Sequence, residues 1–288
     1  MLFQWPNSTN KGNAFLRLMD QFQTQAFLPD EYISWFFTDE EMQSAQSSAH
    51  NVLNTPANDL ERHELSSYWW VLLRERYVDE VLRAAIQSGT RQLLLLGAGL
   101  DTRFFRLPEV SQHHIDTYEL DLAPTISFKR GILNGKLGNL PPQLKLIASD
   151  LNEQRLQVIF DHGFNPHAPS ICIWQGVTYY LPESTVLYVL RFLKSELAHG
   201  LILSFDCPSL LMVYPNDEVP GIRDTIKLHE DMGEPFKFGL DASEMKDFLA
   251  RHGYRMLELQ YPDDLEACYH RPRTLPRNMW YLVTAKTE

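Results

Sequence analysis

One stretch constrains this chain more than any other. Gln92–Leu96 carries four leucines without interruption and ends in Gly97-Ala98-Gly99. A strand with one wet face would alternate polar and apolar residues, so an unbroken run predicts a strand buried on both faces, as in a parallel sheet. Two glycines directly after it let the backbone turn tightly and approach a ligand where a Cβ would collide. A tight strand-to-helix turn without a ligand has the same signature. The third glycine of a dinucleotide fingerprint is replaced here by Thr102.

The flanking sequence repeats this grammar. From Ser66, apolar residues at Val71, Leu72, Val78, Val81, Leu82, Ala85 and Ile86 recur at helical spacing, and Gly89 supplies a stop. Further strands are expected at Ile115–Leu120, Leu144–Ala148, Ser170–Trp174 and Leu201–Phe205. Pro124 and Pro182 open helices between them. Strand and helix in alternation predict an α/β fold with a mostly parallel sheet. The tail differs. Asp241 and Glu244 suggest a capping box, Gly253 closes that helix, and two strand-like segments follow at Met256–Tyr261 and Met279–Thr284. With no helix pattern between them, they should pair antiparallel. Residues 206–240 hold Pro208, Pro215, Pro220 and Pro235 and no clear periodicity, which reads as a lid over the carboxyl end of the sheet. Residues 1–65, rich in aromatics such as Trp5, Phe22, Phe27, Trp35, Phe36 and Phe37, read as short covering helices, with the polar segment Gln43–Asn51 as a spacer. The expected division is thus a helical cover at 1–65 and a core domain at 66–288.

Composition narrows the partners. A net charge of -11 without a run of basic residues argues against nucleic acid. No apolar run approaches the roughly 20 residues a membrane span needs, and the first residues show no signal peptide. Cys172, Cys207 and Cys268 are too widely spaced for a disulfide framework or a metal site. A cytoplasmic setting with no metal is expected.

Three further segments carry chemistry. Glu119 and Asp121, at the end of the second strand, share a face, and either could accept hydrogen bonds from ribose hydroxyls. Asp150 follows the third strand and could accept an adenine amino group beside the Leu151 backbone; taken alone, it reads as a turn residue. Gln175-Gly176-Val177-Thr178-Tyr179-Tyr180-Leu181-Pro182 follows the fourth strand.

With LLLLGAGLDTRFFRL, YELD followed by Lys129-Arg130, SDL and GVTYYLPE, the chain resembles the leucine carboxyl methyltransferase and polyketide O-methyltransferase family of class I methyltransferases. Arg74-Glu75-Arg76-Tyr77-Val78-Asp79 matches that family's R-x-R-x-x-D region, and Gly233–Gly239 its G-E-P-x-x-F-G segment. The resemblance covers about Tyr68 to Tyr254. It implies a Rossmann-like sheet ending in an antiparallel hairpin, with S-adenosyl-L-methionine as cofactor and S-adenosyl-L-homocysteine as product. It implies Arg74 on the methionine carboxylate, with Arg76 as fallback, Gly97 and Gly99 beneath the methionine, Asp121 or Glu119 on the ribose, and Asp150-Leu151 on the adenine. Asp101 and Thr102, in the same motif, join the cofactor side. One departure stands out: Gln175 occupies a position where the family commonly has Glu. The amide keeps size and hydrogen bonding but loses charge.

The chemistry then expected is O-methylation. A carboxylate acceptor is already ionised near neutrality, since free carboxyl groups titrate at about 4, and needs no base; a phenol would want one. Tyr179, His229 and Arg223 are the expected catalytic groups, with Tyr180, Arg103 and Lys227 as further substrate-side candidates. The favoured substrate is a small, polyketide-like carboxylic acid. Alternatives are a protein C-terminal leucine, a hydroxyl-directed methyltransferase with His229 as base, an NAD-dependent oxidoreductase, and a cofactor-binding protein without turnover.

Overall fold

The computed structural model describes residues 9–54, 59–197, 200–216, 222–270 and 279–288. Trp5 and Pro220 lie outside them. The leucine run is β1 (Gln92–Leu96), buried at every position. It is preceded by α1 (Thr9–Gln21), α2 (Asp39–Asn54) and the long α3 (Asp59–Gln87). After it come α4 (Arg103–Arg106), α5 (Pro108–Gln112), β2 (Asp116–Asp121), α6 (Ala123–Leu137), β3 (Leu144–Ala148), α7 (Val158–Asp161), β4 (Ser170–Trp174), α8 (Glu183–Glu196) and β5 (Ile202–Pro208). The chain closes with α9 (Ile222–Asp231), α10 (Ala242–Arg251), β6 (Tyr254–Gln260), α11 (Pro262–Cys268) and β7 (Trp280–Thr287).

One sheet runs in the order β3-β2-β1-β4-β5-β7-β6. The first five strands are parallel, and β7 lies antiparallel between β5 and β6. Because side chains alternate across a strand, β1 feeds two cores. Leu93 and Leu95 pack on one face with Leu72, Val78, Leu82 and Ile86 of α3. Leu94 and Leu96 pack on the other with Val186, Val189, Leu190 and Leu193 of α8. The chain reverses its direction of winding between β1 and β4, which places a crevice at their carboxyl ends.

Four expectations need correction. The 206–240 segment is not irregular throughout: β5 continues to Pro208, and α9 lies inside it with Ile222 and Thr225 buried. Pro215 and Pro235 flank that helix rather than interrupt it. A helix also separates β6 from β7. Pro262 in its first turn, followed by Asp263 and Asp264, was a start signal; the strands pair antiparallel all the same. Gln43–Asn51 is not a spacer but part of α2, which buries Ala45, Ser48 and Ala49 at helical spacing. Finally, Asp241 is the N-cap residue of α10, but its side chain makes no capping hydrogen bond. Its Oδ1 instead accepts from Ser209 Oγ at 3.3 Å and the Leu210 amide at 3.4 Å. As for the expected boundary at residue 65, α3 runs through it as one helix.

The two-faced burial of β1 gives a direct expectation. Leu94→Ala, at a position with no exposure, should cost about 2–5 kcal/mol in a denaturant melt. Leu257→Ala, at a residue that is 47% exposed on β6, should cost less than about 0.5 kcal/mol.

Candidate active site

A cavity of about 500 Å³ opens at the carboxyl ends of the parallel strands. Its walls are Gly97–Asp101 after β1, Asp121 and Leu122 after β2, Ser149–Asn152 after β3, and Gln175–Val177 after β4. Arg74 and Glu75 reach it from α3, Asn10, Asn13, Ala14 and Arg17 from α1, and Glu234 from the segment after α9.

The glycine turn needs its glycines. Gly97 and Gly99 have φ of 66° and 52°, where a Cβ is strained. A Cβ on Gly97 would lie 2.3 Å from Val177 Cγ2, and one on Gly99 2.5 Å from Asn10 Oδ1. The Gly99 amide donates to Asp121 Oδ2 at 2.7 Å, and the Leu100 amide to Asn10 Oδ1 at 3.2 Å. So the turn is fixed from two sides.

Beneath it lies a buried ion network. Arg103 donates through Nε to Asp79 (2.9 Å), through one terminal nitrogen to Asp101, and through the other to Glu75 (2.6 Å) and Gln175 Oε1 (2.7 Å). Arg106 pairs with Asp79 and Glu75. Arg17 donates to Asp30 and Thr102, whose hydroxyl donates in turn to Asp30 at 2.7 Å. Burial pushes the Asp101 carboxyl up, but Arg103, Lys129, Arg17 and Arg106 together outweigh it and hold Asp101 down at about 2. The same competition leaves Arg103 above its ordinary value: burial opposes the charge, and Asp101, Glu75 and Asp79 more than restore it.

Arg74 is a second buried cation. Its Nη1 donates to Asp206 Oδ2 at 2.6 Å and lies 3.5 Å from the Tyr179 hydroxyl, while its Nε has no hydrogen-bond partner among the described residues. Burial disfavours its charge, and Asp206, helped by Tyr179 and Glu75, overcomes this. Asp206 Oδ1 also accepts from the Gly176 amide at 2.7 Å, tying β5 to the loop after β4.

The cavity gathers Arg74, Gly97, Gly99, Asp101, Asp121, Asp150, Leu151 and Gln175. Other sequence candidates lie elsewhere. Thr102 is 1% exposed and turned toward Asp30. Glu119 has no exposure and pairs with Lys129, so Asp121, the last residue of β2, is the acid at the rim. Burial lifts the Glu119 carboxyl to about 7, against the pull of Lys129. Tyr179 is 4% exposed and packs against Phe236 and Trp280, leaving Tyr180 at the cavity. His229 lies behind Tyr180, its Nδ1 3.0 Å from the phenol oxygen. Arg223 and Lys227 are on α9 and do not line the cavity. Arg76 pairs with Glu80 and also faces away. Sequence reading missed Glu75, although it lies inside the R-E-R stretch of α3, and it missed Asn10, Asn13 and Arg17. For those three no local signal existed, since only tertiary packing brings α1 to the turn. Cys172 and Cys207 are buried and Cys268 is exposed, all free. Among the described residues no cluster suits a metal ion, and no helix is long and apolar enough to cross a membrane.

The profile of the family described as leucine carboxyl methyltransferase matches residues 11–194. The chain belongs to the leucine carboxyl methyltransferase family. A family relative from Streptomyces avermitilis, provisionally named an S-adenosyl-L-methionine-dependent methyltransferase, is 27% identical over 219 residues, covering 75% of this chain and 72% of its own. One from Mycobacterium bovis, named likewise, reaches 40% over 112 residues, or 38% of this chain and 36% of its own. Among solved structures, a DUF574-family protein from Streptomyces avermitilis has a TM-score of 0.58 at 14% identity, covering 95% of this chain and 97% of that one. A protein from Thermobifida fusca, provisionally titled a methyltransferase, has a TM-score of 0.57 at 13% identity, with 99% of each chain covered. These two likenesses show the Rossmann-like methyltransferase fold, with its antiparallel last strands.

In this leucine carboxyl methyltransferase family member, Arg103 balances three buried carboxylates at once. Arg103→Met should therefore cost about 3–5 kcal/mol by thermal or denaturant melt, because the acids are left buried and unpaired. Arg76→Met breaks an exposed pair with Glu80 and should cost no more than about 1 kcal/mol.

Proposed function

We propose that this S-adenosyl-L-methionine-dependent methyltransferase places the methyl group on the carboxylate of a small organic acid. The observation that carries the reading is the make-up of the cavity. Its described lining contains acids, arginines, asparagines and one phenol, Tyr180, but no histidine, lysine or cysteine. A carboxylate acceptor is ionised at neutral pH and needs no proton removed. Such a site has only to align the reactants and keep water out.

The residues present fit the cofactor. Gly97 and Gly99 let the backbone turn at the cavity wall, where a Cβ would collide with Val177 and Asn10. The buried Arg74 guanidinium lines the cavity with an Nε that has no hydrogen-bond partner among the described residues. When bound, the cofactor supplies an electrophilic methyl on a sulfonium, with a neutral thioether as leaving group. Arg74 would hold the methionine carboxylate through its planar fork. Asp121 would take the ribose hydroxyls; each of its oxygens already accepts one backbone amide, from Gly99 and Leu122, which fixes the carboxylate's orientation. Asp150 would meet the adenine amino group with Leu151 beside it; its Oδ1 is engaged by Asn152, which orients Oδ2. Tyr180 and Glu234 stand on the acceptor side.

One observation favours a second reading. The Tyr180 hydroxyl meets His229 Nδ1, a relay that would let a hydroxyl acceptor lose its proton. A protein C-terminal leucine shares the carboxylate chemistry and belongs in the same assay.

Calorimetry with S-adenosylhomocysteine should show micromolar binding, and NAD none. Arg74→Lys keeps a charge for Asp206 but loses the fork, and should weaken binding about tenfold. Transfer of labelled methyl to a panel of small acids, a peptide ending in leucine, and phenols then identifies the acceptor class. At saturating cofactor, a carboxylate acceptor gives a rate flat from about pH 6 to 9, because the carboxylate stays ionised and the sulfonium charge is permanent. A rate that falls with His titration near about 6.5 moves the assignment to a hydroxyl. Binding of NAD in place of S-adenosylhomocysteine would overturn the proposal.

A further inference from the structure

We propose that Glu75 supplies the carboxylate that holds the α-ammonium group of the cofactor's amino acid end, and that residue 175 is an amide because Glu75 is there. This rests on the cofactor reading above.

The geometry defines the pair. Gln175 accepts from Arg103 Nη2 through Oε1 at 2.7 Å and donates through Nε2 to Glu75 Oε1 at 3.1 Å. Arg103 can only donate and an ionised Glu75 can only accept, so the orientation of the amide is dictated by its neighbours. A carboxylate at 175 could make the first contact but not the second. It would meet Glu75 across the same gap, and two like charges so close cannot both stay ionised without penalty.

Charge placement supports the same assignment. Arg74 and Glu75 are successive residues of α3, about 100° apart around the helix axis, and both line the cavity. They offer a cation and an anion side by side, which is what a zwitterionic α-amino acid requires. Neighbouring guanidinium groups fix the Glu75 carboxylate in place, since its Oε2 accepts from Arg103 at 2.6 Å and from Arg106 at 3.1 Å. Among the described residues only the uncharged amide of Gln175 hydrogen-bonds to Oε1, which leaves acceptor capacity on that oxygen. Negative charge absent from position 175 is thus present one hydrogen bond away, on a different element.

The test compares S-adenosylhomocysteine with its desamino analogue, which keeps the adenosine, sulfur and carboxylate. Calorimetry on the intact chain should show the natural product bound about 10- to 100-fold more tightly, the scale of a hydrogen bond to a charged group. Glu75→Gln should erase that preference while leaving the analogue's affinity within about threefold, a split that a merely structural role would not produce. The double variant Glu75→Gln/Gln175→Glu returns one carboxylate and one amide to the same contact and should regain the preference. Equal weakening of both ligands by Glu75→Gln, or an unchanged preference, overturns the proposal. Should Glu75→Gln alone fail to fold, the double variant decides: a kept preference supports the assignment and a lost one overturns it. If the unsubstituted protein binds both ligands equally, only this proposal falls. If it binds neither, the cofactor reading falls and this proposal with it.

Discussion

The guanidinium of Arg103 is the contact on which the site's shape depends. It joins the turn after β1, through Asp101, to α3, through Glu75 and Asp79, and to the loop after β4, through Gln175. These are three of the walls of the cavity. A buried ion cluster of this kind adds little net stability against an apolar replacement, because desolvation consumes most of the attraction. What it provides is position: each partner has one place where its charge is satisfied, and the backbone bearing it must follow. Arg17, Asp30 and Thr102 extend the constraint to α1, so the helix that covers the turn is held by the same kind of contact as the turn itself.

Arg74 and Asp206 do the equivalent for the far wall. In a low-dielectric setting an unpaired guanidinium would lose its charge preference, and Asp206 prevents that. The same carboxylate receives the Gly176 amide. The cation that faces the cavity and the loop that borders it are therefore placed by one side chain of β5. Binding a charged ligand then requires little rearrangement, since the partners are already ordered.

How much of this could be read from residues alone follows from the range of the forces involved. β1 and β4 were legible to the residue because burial on both faces leaves a nearly unbroken apolar run, visible locally; β3 was legible too, although Lys145 interrupts its run. The glycines, Asp121 and Asp150 could be placed at the cavity because they lie at or just past the carboxyl ends of β1, β2 and β3, and strand ends fix where a crevice lies. Side-chain direction was not. Thr102, Glu119 and Tyr179 belong to the right segments but turn inward, toward Asp30, Lys129 and Trp280, partners between roughly ten and a hundred residues away. Arg103 read as a substrate group because an arginine beside a ligand loop has no local mark of being paired. Only the placement of Glu75, Asp79 and Asp101 decides it. α9 and α11 were not assigned as elements for a different reason: each is short, and around α9 the prolines suggested a loop.

The acceptor side is built by a further long-range link. The amides of Lys237 and Phe238 both donate to the Tyr179 carbonyl, at 2.7 and 3.3 Å, and the Leu240 amide donates to the Pro208 carbonyl at 3.0 Å. The segment after α9 is thereby stitched to the loop after β4 and to the end of β5. Phe236 packs against Tyr179 and stacks on Tyr180 with rings 5.9 Å apart. Tyr179 and Tyr180 meet edge to face with ring centroids 4.5 Å apart: the first closes the core beside Arg74 and Trp280, and the second stands at the cavity with His229 behind it. On the proposed assignment, a change in Phe236 would reach the acceptor side through Tyr180 and the cofactor side through Tyr179. Selectivity for the acceptor and binding of the cofactor would then be joined mechanically at that ring, although neither ligand need touch it.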